Sequence, residues 1–151
     1  MGQSPSITAE IEIQASPDAV RSVFMDFGRY KEWSQWYFEP VEATKSPTEL
    51  LEGDRMKIDL GAMKFEASIV KSPADSFSWD GNFYGLLAGK HEFMFNPSTK
   101  HAGGTTFLQK EEFRGVFAFL MAPQLGLSGS TLSNWNQFNA DLKKKVESSS
   151  S

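Results

Sequence analysis

IEIQASPDAVRSVFMDFGRYKEWSQWY, residues 11–37, sets the order in which the fold begins. Upstream and into it, Ile7, Ala9, Ile11 and Ile13 alternate with Thr8, Glu10, Glu12 and Gln14, the two-residue period of a half-buried strand. Ser16-Pro17-Asp18 then supplies a capping hydroxyl, a proline suited to the first helical position and an acid facing the positive helix end. Val20, Val23, Phe24 and Phe27 form the apolar stripe of that helix, and Gly28 is expected to stop it. A second short helix is expected to carry Tyr30, Trp33 and Trp36.

Beyond this opening the rhythm changes to strands. Met56, Ile58 and Leu60 alternate with Lys57 and Asp59, and Gly61-Ala62 reads as a tight turn before the alternation Phe65, Ala67, Ile69. Phe77 to Trp79, His91 to Phe95 and Thr105 to Phe113 follow, the last two joined through Asn96-Pro97 and Gly103-Gly104. These segments predict an antiparallel meander. After Gly115, Leu132, Trp135, Phe138, Leu142 and Val146 recur at helical spacing, with Lys143, Lys144 and Lys145 near the negative helix end. Pro123, Gly126 and Gly129 predict a break or kink before that helix. A curved sheet with one apolar face needs a cover, and only the terminal helix is long enough to provide it.

The chain has 151 residues, enough for one domain with a substantial core. Residues 7–147 are expected to form that domain, with 1–6 and 148–151 as disordered ends. Its lack of cysteine excludes a disulfide scaffold, a thiolate metal site and a cysteine nucleophile. A net charge of −4 has the wrong sign for a phosphate-backbone binder, so no nucleic-acid partner is expected. No apolar run approaches the ~18 residues needed to span a bilayer. The opening MGQSPSITAE has neither the basic nor the apolar region of a secretory signal. Gly2 with Ser6 fits a short myristoylation pattern, but no polybasic patch follows to hold one acyl chain on a membrane. A cytoplasmic protein without stable membrane insertion is the expectation. There is no dinucleotide fingerprint, Walker loop, nucleophile elbow or zinc-protease motif. Aromatic residues reach 13%, with 13 Phe and 4 Trp, which poses the question of what so many rings surround.

Three segments resemble the SRPBCC (START-like, pollen-allergen-like) superfamily. Residues 11–37 resemble its opening strand, Ser/Ala-Pro helix start and YxxW segment. GGTTFLQKEEFRG, residues 103–115, is similar to its penultimate strand, and NQFNADLKKKVE, residues 136–147, to its terminal helix. The three stand in the family's order and span nearly the whole chain, with the polyketide cyclase/dehydrase and lipid-transport branch the nearest in character. The resemblance implies an α+β helix-grip fold. In it a strongly curved antiparallel sheet of about six or seven strands wraps around a long C-terminal helix and encloses an apolar cavity, with two short helices after the first strand. The stretch APQLGLSGSTLSNW, residues 122–135, is richer in glycine and serine than the family's helix and puts an unbroken helix there in question. The iron-dependent oxygenase branch needs two histidine ligands and a carboxylate. Here the only histidines are His91 and His101, the latter in a glycine-rich turn. No metal or cofactor is expected.

The candidate site comes from polar residues placed on an apolar face. In the 105–113 strand the odd positions Thr105, Phe107, Gln109, Glu111 and Phe113 share one face, so Gln109 and Glu111 sit among phenylalanines. His91 shares a face with Phe93 and Phe95 in the preceding strand, and a hairpin places it opposite Gln109 or Glu111. Three readings stand side by side. These residues satisfy one another structurally, or Glu111 and His91 act as a catalytic acid/base pair, or the trio orients a ligand's oxygen. Cavity walls are expected from Phe65, Trp79, Phe93, Phe95, Phe107, Phe113, Met121, Leu132 and Trp135. Tyr84 is expected to gate them from GNFYGLLAG, residues 81–89, a mobile apolar loop between strands. Trp33, Trp36 and Tyr37 could line the mouth or belong to the core. Function reduces to binding a small hydrophobic, oxygen-bearing molecule (lipid, polyketide or terpenoid). The alternative is a cofactor-free cyclase, dehydratase or isomerase.

Overall fold

The computed structural model describes residues 5–149 except 43, 62, 84–85, 116–117 and 122–126. Strand β1 is Ser6–Ile13, helix α1 Pro17–Met25, and a 3-10 turn Phe27–Glu32 leads to β2, Tyr37–Pro40. A second 3-10 turn, Pro47–Glu49, precedes β3 (Arg55–Asp59), β4 (Lys64–Lys71), β5 (Ser76–Phe83), β6 (Leu87–Pro97) and β7 (Thr105–Arg114). A last 3-10 turn, Ala118–Met121, precedes α2, Leu127–Ser149. All seven strands form one antiparallel sheet in the order β1-β7-β6-β5-β4-β3-β2. Successive strands β1 and β2 therefore lie at opposite edges, and α1 with its following 3-10 turn carries the chain from one to the other.

The start of α1 follows the sequence reading: the Ser16 side chain accepts from Ala19 N–H at 3.2 Å and Pro17 opens the first turn. Its end does not. The helix closes at Met25, and Gly28 lies inside the 3-10 turn rather than terminating α1. Phe24 reaches from α1 into the middle of the core, where its ring meets Phe38, Phe77, Phe93, Phe95, Phe107 and Phe138. The Tyr30 hydroxyl donates to the Phe24 carbonyl at 2.6 Å and locks the 3-10 turn against α1. Helix α2 buries Trp135, Phe138, Leu142 and Val146. Each such side chain removed from water contributes roughly 1.5–3 kcal/mol.

The expected break before α2 falls mostly outside the described residues, and the expected glycine-rich loop is a strand pair. Residues 122–126, with Pro123 and Gly126, lie outside the described residues, while Gly129 is within α2. Gly81 and Gly89 do not loosen a loop: they lie in β5 and β6, paired directly across the ladder and buried. The hairpin between those strands is short, with Phe83 paired to Leu87, and Tyr84 falls outside the described residues. Gly115, at φ +101°, ends β7 where a Cβ would meet the Leu86 carbonyl oxygen at 2.6 Å. Only glycine lets these backbones close that end of the sheet. The lysines near the end of α2 are not merely solvated: Lys143 Nζ donates to the Glu12 carbonyl at 2.8 Å and Glu147 at 2.6 Å, pinning α2 to β1.

Candidate functional site

The concave face has two ends with different contents. Under α1 and the C-terminal half of α2 it is filled solid by rings. Trp79, Phe93, Phe95 and Phe107, expected as cavity walls, are all fully buried there. Trp36 belongs to this packing too, stacked on Phe138 with ring centroids 4.2 Å apart, and Trp33 packs against Tyr30. Toward the start of α2 the filling stops, leaving a cavity of about 480 Å³. Phe65, Phe113, Met121 and Trp135 line it, joined by Leu60, Met63 and Leu87. Leu132, by contrast, is on an exposed side of α2, 36% accessible, and does not line the cavity.

The space exists because Gly81 and Gly89 form a cross-strand pair on its floor. With no side chains there, the Phe65 ring lies across Gly81 and the Glu111 side chain across Gly89. A Cβ on Gly81 would stand 3.1 Å from Phe65 Cε2, and one on Gly89 would stand 2.9 Å from Glu111 Cδ. Neither glycine was legible as a site residue from composition. The signal available was their place in two consecutive apolar strands, where glycine commonly marks close approach of another group.

The polar trio is assembled by register. β6 and β7 place His91 opposite Glu111 and Phe93 opposite Gln109. His91 Nε2 lies 2.8 Å from Gln109 Oε1, and Gln109 Nε2 donates to Asn139 Oδ1 on α2 at 2.7 Å. All three side chains are buried, so the line of contacts bolts the sheet to the helix. Asn139 was missed in the sequence, although position 139 is four residues after Trp135 and three before Leu142 and so shares their buried face. Its Nδ2 is buried and meets no hydrogen-bond partner among the described residues.

This network defines the state of His91. Because Gln109 gives its N–H to Asn139, its oxygen faces His91 and assigns the ring proton to Nε2. The ring lies between Phe93, stacked at 4.3 Å, and Trp135 at 4.5 Å. Burial pushes its pKa down to about 3, against the smaller opposing effect of the Gln109 hydrogen bond. His91 is therefore a neutral imidazole at physiological pH. Its unprotonated Nδ1 faces Glu111 Oε1 at 3.6 Å, beyond hydrogen-bond length.

Glu111 has the opposite character. Its side chain is 18% accessible and lines the cavity. Burial pushes its carboxyl up to about 7, with the Asp80 charge adding to the effect. A neutral His91 supplies no compensating charge. At neutral pH Glu111 thus divides between a carboxylic acid able to donate and a carboxylate able to accept. Nearby, Asn134 receives Trp36 Nε1–H and donates to the Leu60 carbonyl, both at 2.9 Å, which holds the end of β3 against α2. Among the described residues, no group of three or more His, Cys, Asp or Glu side chains is placed to hold a metal ion. No helix among them is long and apolar enough to cross a membrane.

Sheet order and the long closing helix define a helix-grip fold of the α+β class. Solved structures carry the same fold. A hypothetical protein from Helicobacter pylori aligns at TM-score 0.74 and 13% identity, over 95% of this chain and 89% of its own. The Zhui aromatase/cyclase from Streptomyces sp. R1128 aligns at 0.64 and 14%, over 94% and 93%. A START superfamily protein from Mycobacterium smegmatis aligns at 0.65 and 14%, over 95% and 98%. No protein-family model and no curated protein sequence matches the chain.

Proposed function

We propose that this protein binds a small, largely apolar, oxygen-bearing molecule in the cavity above the Gly81–Gly89 floor, with Glu111 as its polar anchor. One observation carries the reading: a cavity of about 480 Å³ walled by apolar side chains holds a carboxyl group drawn up to about 7. Phe65, Phe113, Met121 and Trp135 form the walls that grip the ligand. Gln109 and His91 act one layer behind, fixing the surface on which Glu111 rests. A START superfamily protein and an aromatase/cyclase are among the structures of the same fold, in keeping with a cavity that takes a small molecule.

A second reading rests on the same carboxyl. A group titrating near neutrality is matched to moving a proton in either direction, which suits a cofactor-free cyclase, dehydratase or isomerase. His91, neutral and engaged by Gln109, serves there as a positioning residue rather than a base. Mass spectrometry of gently purified protein under native conditions tests the shared claim, with a co-purified small molecule expected. Glu111→Gln then separates the two readings with the recovered molecule or its precursor. Unchanged turnover, or none in either protein, supports binding alone, whereas turnover lost at retained affinity supports catalysis.

A further inference from the structure

We infer that the cavity selects an uncharged ligand that offers a hydrogen-bond-accepting oxygen, such as a ketone, and discriminates against carboxylic acids of the same shape. The inference rests on the ligand-binding reading of this cavity and names the chemical class it takes.

Charge placement around the cavity carries it. Of the described lining residues only Glu111 is ionisable, and no lysine, arginine or histidine is among them. The residues outside the described set, 1–4, 43, 62, 84–85, 116–117, 122–126 and 150–151, contain no Asp, Glu, Lys, Arg or His side chain. The cations nearest in sequence point elsewhere. Arg114 pairs with Asp80 at 2.6 Å, Lys110 with Glu112 at 3.2 Å and Lys90 with Glu92 at 3.7 Å, all from alternate positions that face away from Glu111. Lys64 is mostly exposed and stands 3.9 Å from Asp59.

The groups around Glu111 agree. From β6 it faces neutral His91, and from β5 it feels the negative charge of Asp80. On β1 its partner is Ile7. From α2 the lining side chains are Ser130, Thr131, Asn134 and Trp135, none of which titrates, and the last 3-10 turn offers Met121. A carboxylate ligand would be stripped of water with no cation to meet it and a second acid beside it. A ketone needs only a donor, which the protonated form of Glu111 supplies. Binding should then draw a proton onto the protein.

Three naphthalene probes of nearly equal shape test this by isothermal titration calorimetry: 2-acetylnaphthalene, 2-naphthoate and 2-naphthylmethylammonium. At pH 7 the ketone should bind at least about tenfold more tightly than the carboxylate. Because only the acid form donates, its affinity should fall about tenfold between pH 6 and pH 8. Titrations in buffers of different ionisation enthalpy should show proton uptake on the wild-type protein. Glu111→Gln, which keeps a donor, should bind the ketone with little pH dependence. The proton-uptake measurement stands without the variant should that fold poorly. Equal or tighter binding of naphthoate overturns the inference, as does an ammonium probe that outcompetes the ketone and tightens with pH. Ketone binding without proton uptake overturns it too. In each of those cases the cavity remains a ligand site. If none of the three probes binds, the ligand-binding reading fails along with the inference.

Discussion

Replacing Glu111 by glutamine removes the one ionisable group among the described residues that line the cavity, at nearly constant volume, and its effect on stability should depend on pH in a defined direction. In the fold the carboxyl titrates at about 7, against an ordinary 4.5. Below 4.5 both the folded and unfolded chains hold the proton, so the group is neutral in both and contributes no difference. Between 4.5 and 7 the folded protein holds the proton more tightly, and stability drains away as pH rises. Above 7 the full cost is present. At about 1.4 kcal/mol per unit the gap corresponds to about 3 kcal/mol. Urea unfolding at pH 4, 6 and 8 should show Glu111→Gln gaining about 3 kcal/mol on the wild type from the lowest pH to the highest. Comparing the two proteins at each pH cancels the carboxylates that titrate with opposite sign, such as Asp54 and Glu147, whose hydrogen bonds hold them below their ordinary range. Parallel stability profiles would refute the claim that Glu111 is a buried, uncompensated acid.

Gly89→Ala should force the Glu111 side chain off the cavity floor toward solvent and lower its pKa from about 7, followed by carbon-13 NMR of the carboxyl. An unmoved titration would show that the carboxyl does not depend on the glycine. His91 should give no titration midpoint between pH 5 and pH 8 in nitrogen-15 NMR and should hold its proton on Nε2. A midpoint inside that window would contradict the neutral, buried ring. Gln109→Leu should destabilise the fold by about 1–3 kcal/mol in denaturant unfolding, because it strands the His91 N–H and the Asn139 oxygen without water. A neutral outcome would show that the network adds nothing to stability.

Element order was legible because each early element announces itself locally. Ser16-Pro17 starts α1 by capping chemistry alone, and period-two alternation marks β1 and β7 without knowledge of their partners. The buried face of β7 was legible for the same reason, so Gln109 and Glu111 could be identified as polar groups on an apolar surface. Their division of labour was not. Whether His91 meets Gln109 or Glu111 depends on register and on diagonal reach across it: the strands pair His91 with Glu111, yet the hydrogen bond goes to Gln109. Nor does alternation reveal which end of a curved face is filled. Phe93 and Phe113 have the same signature in sequence, but only Phe113 lies where Gly81 and Gly89 leave room. Glycine's contribution to a cavity is the volume it omits, and omitted volume has no periodicity.

The filled and empty ends of the sheet are coupled through His91. Had that ring been solvated, it would titrate in the usual histidine range and, when protonated, hold Glu111 in the ionised state. Burial beneath Trp135 and the bond to Gln109 keep it neutral, with its lone pair rather than a proton turned toward the carboxyl. The Asn139–Gln109–His91 line then does two things at once. It ties α2 to the sheet at the aromatic end, and it denies Glu111 a counter-charge at the cavity end. A carboxyl kept uncompensated costs stability that the ring-packed half of the domain offsets by burial. The abundance of aromatic residues therefore acts on the cavity indirectly: most of the rings do not line it, but the packing they build holds an acid in a place where water would have ionised it.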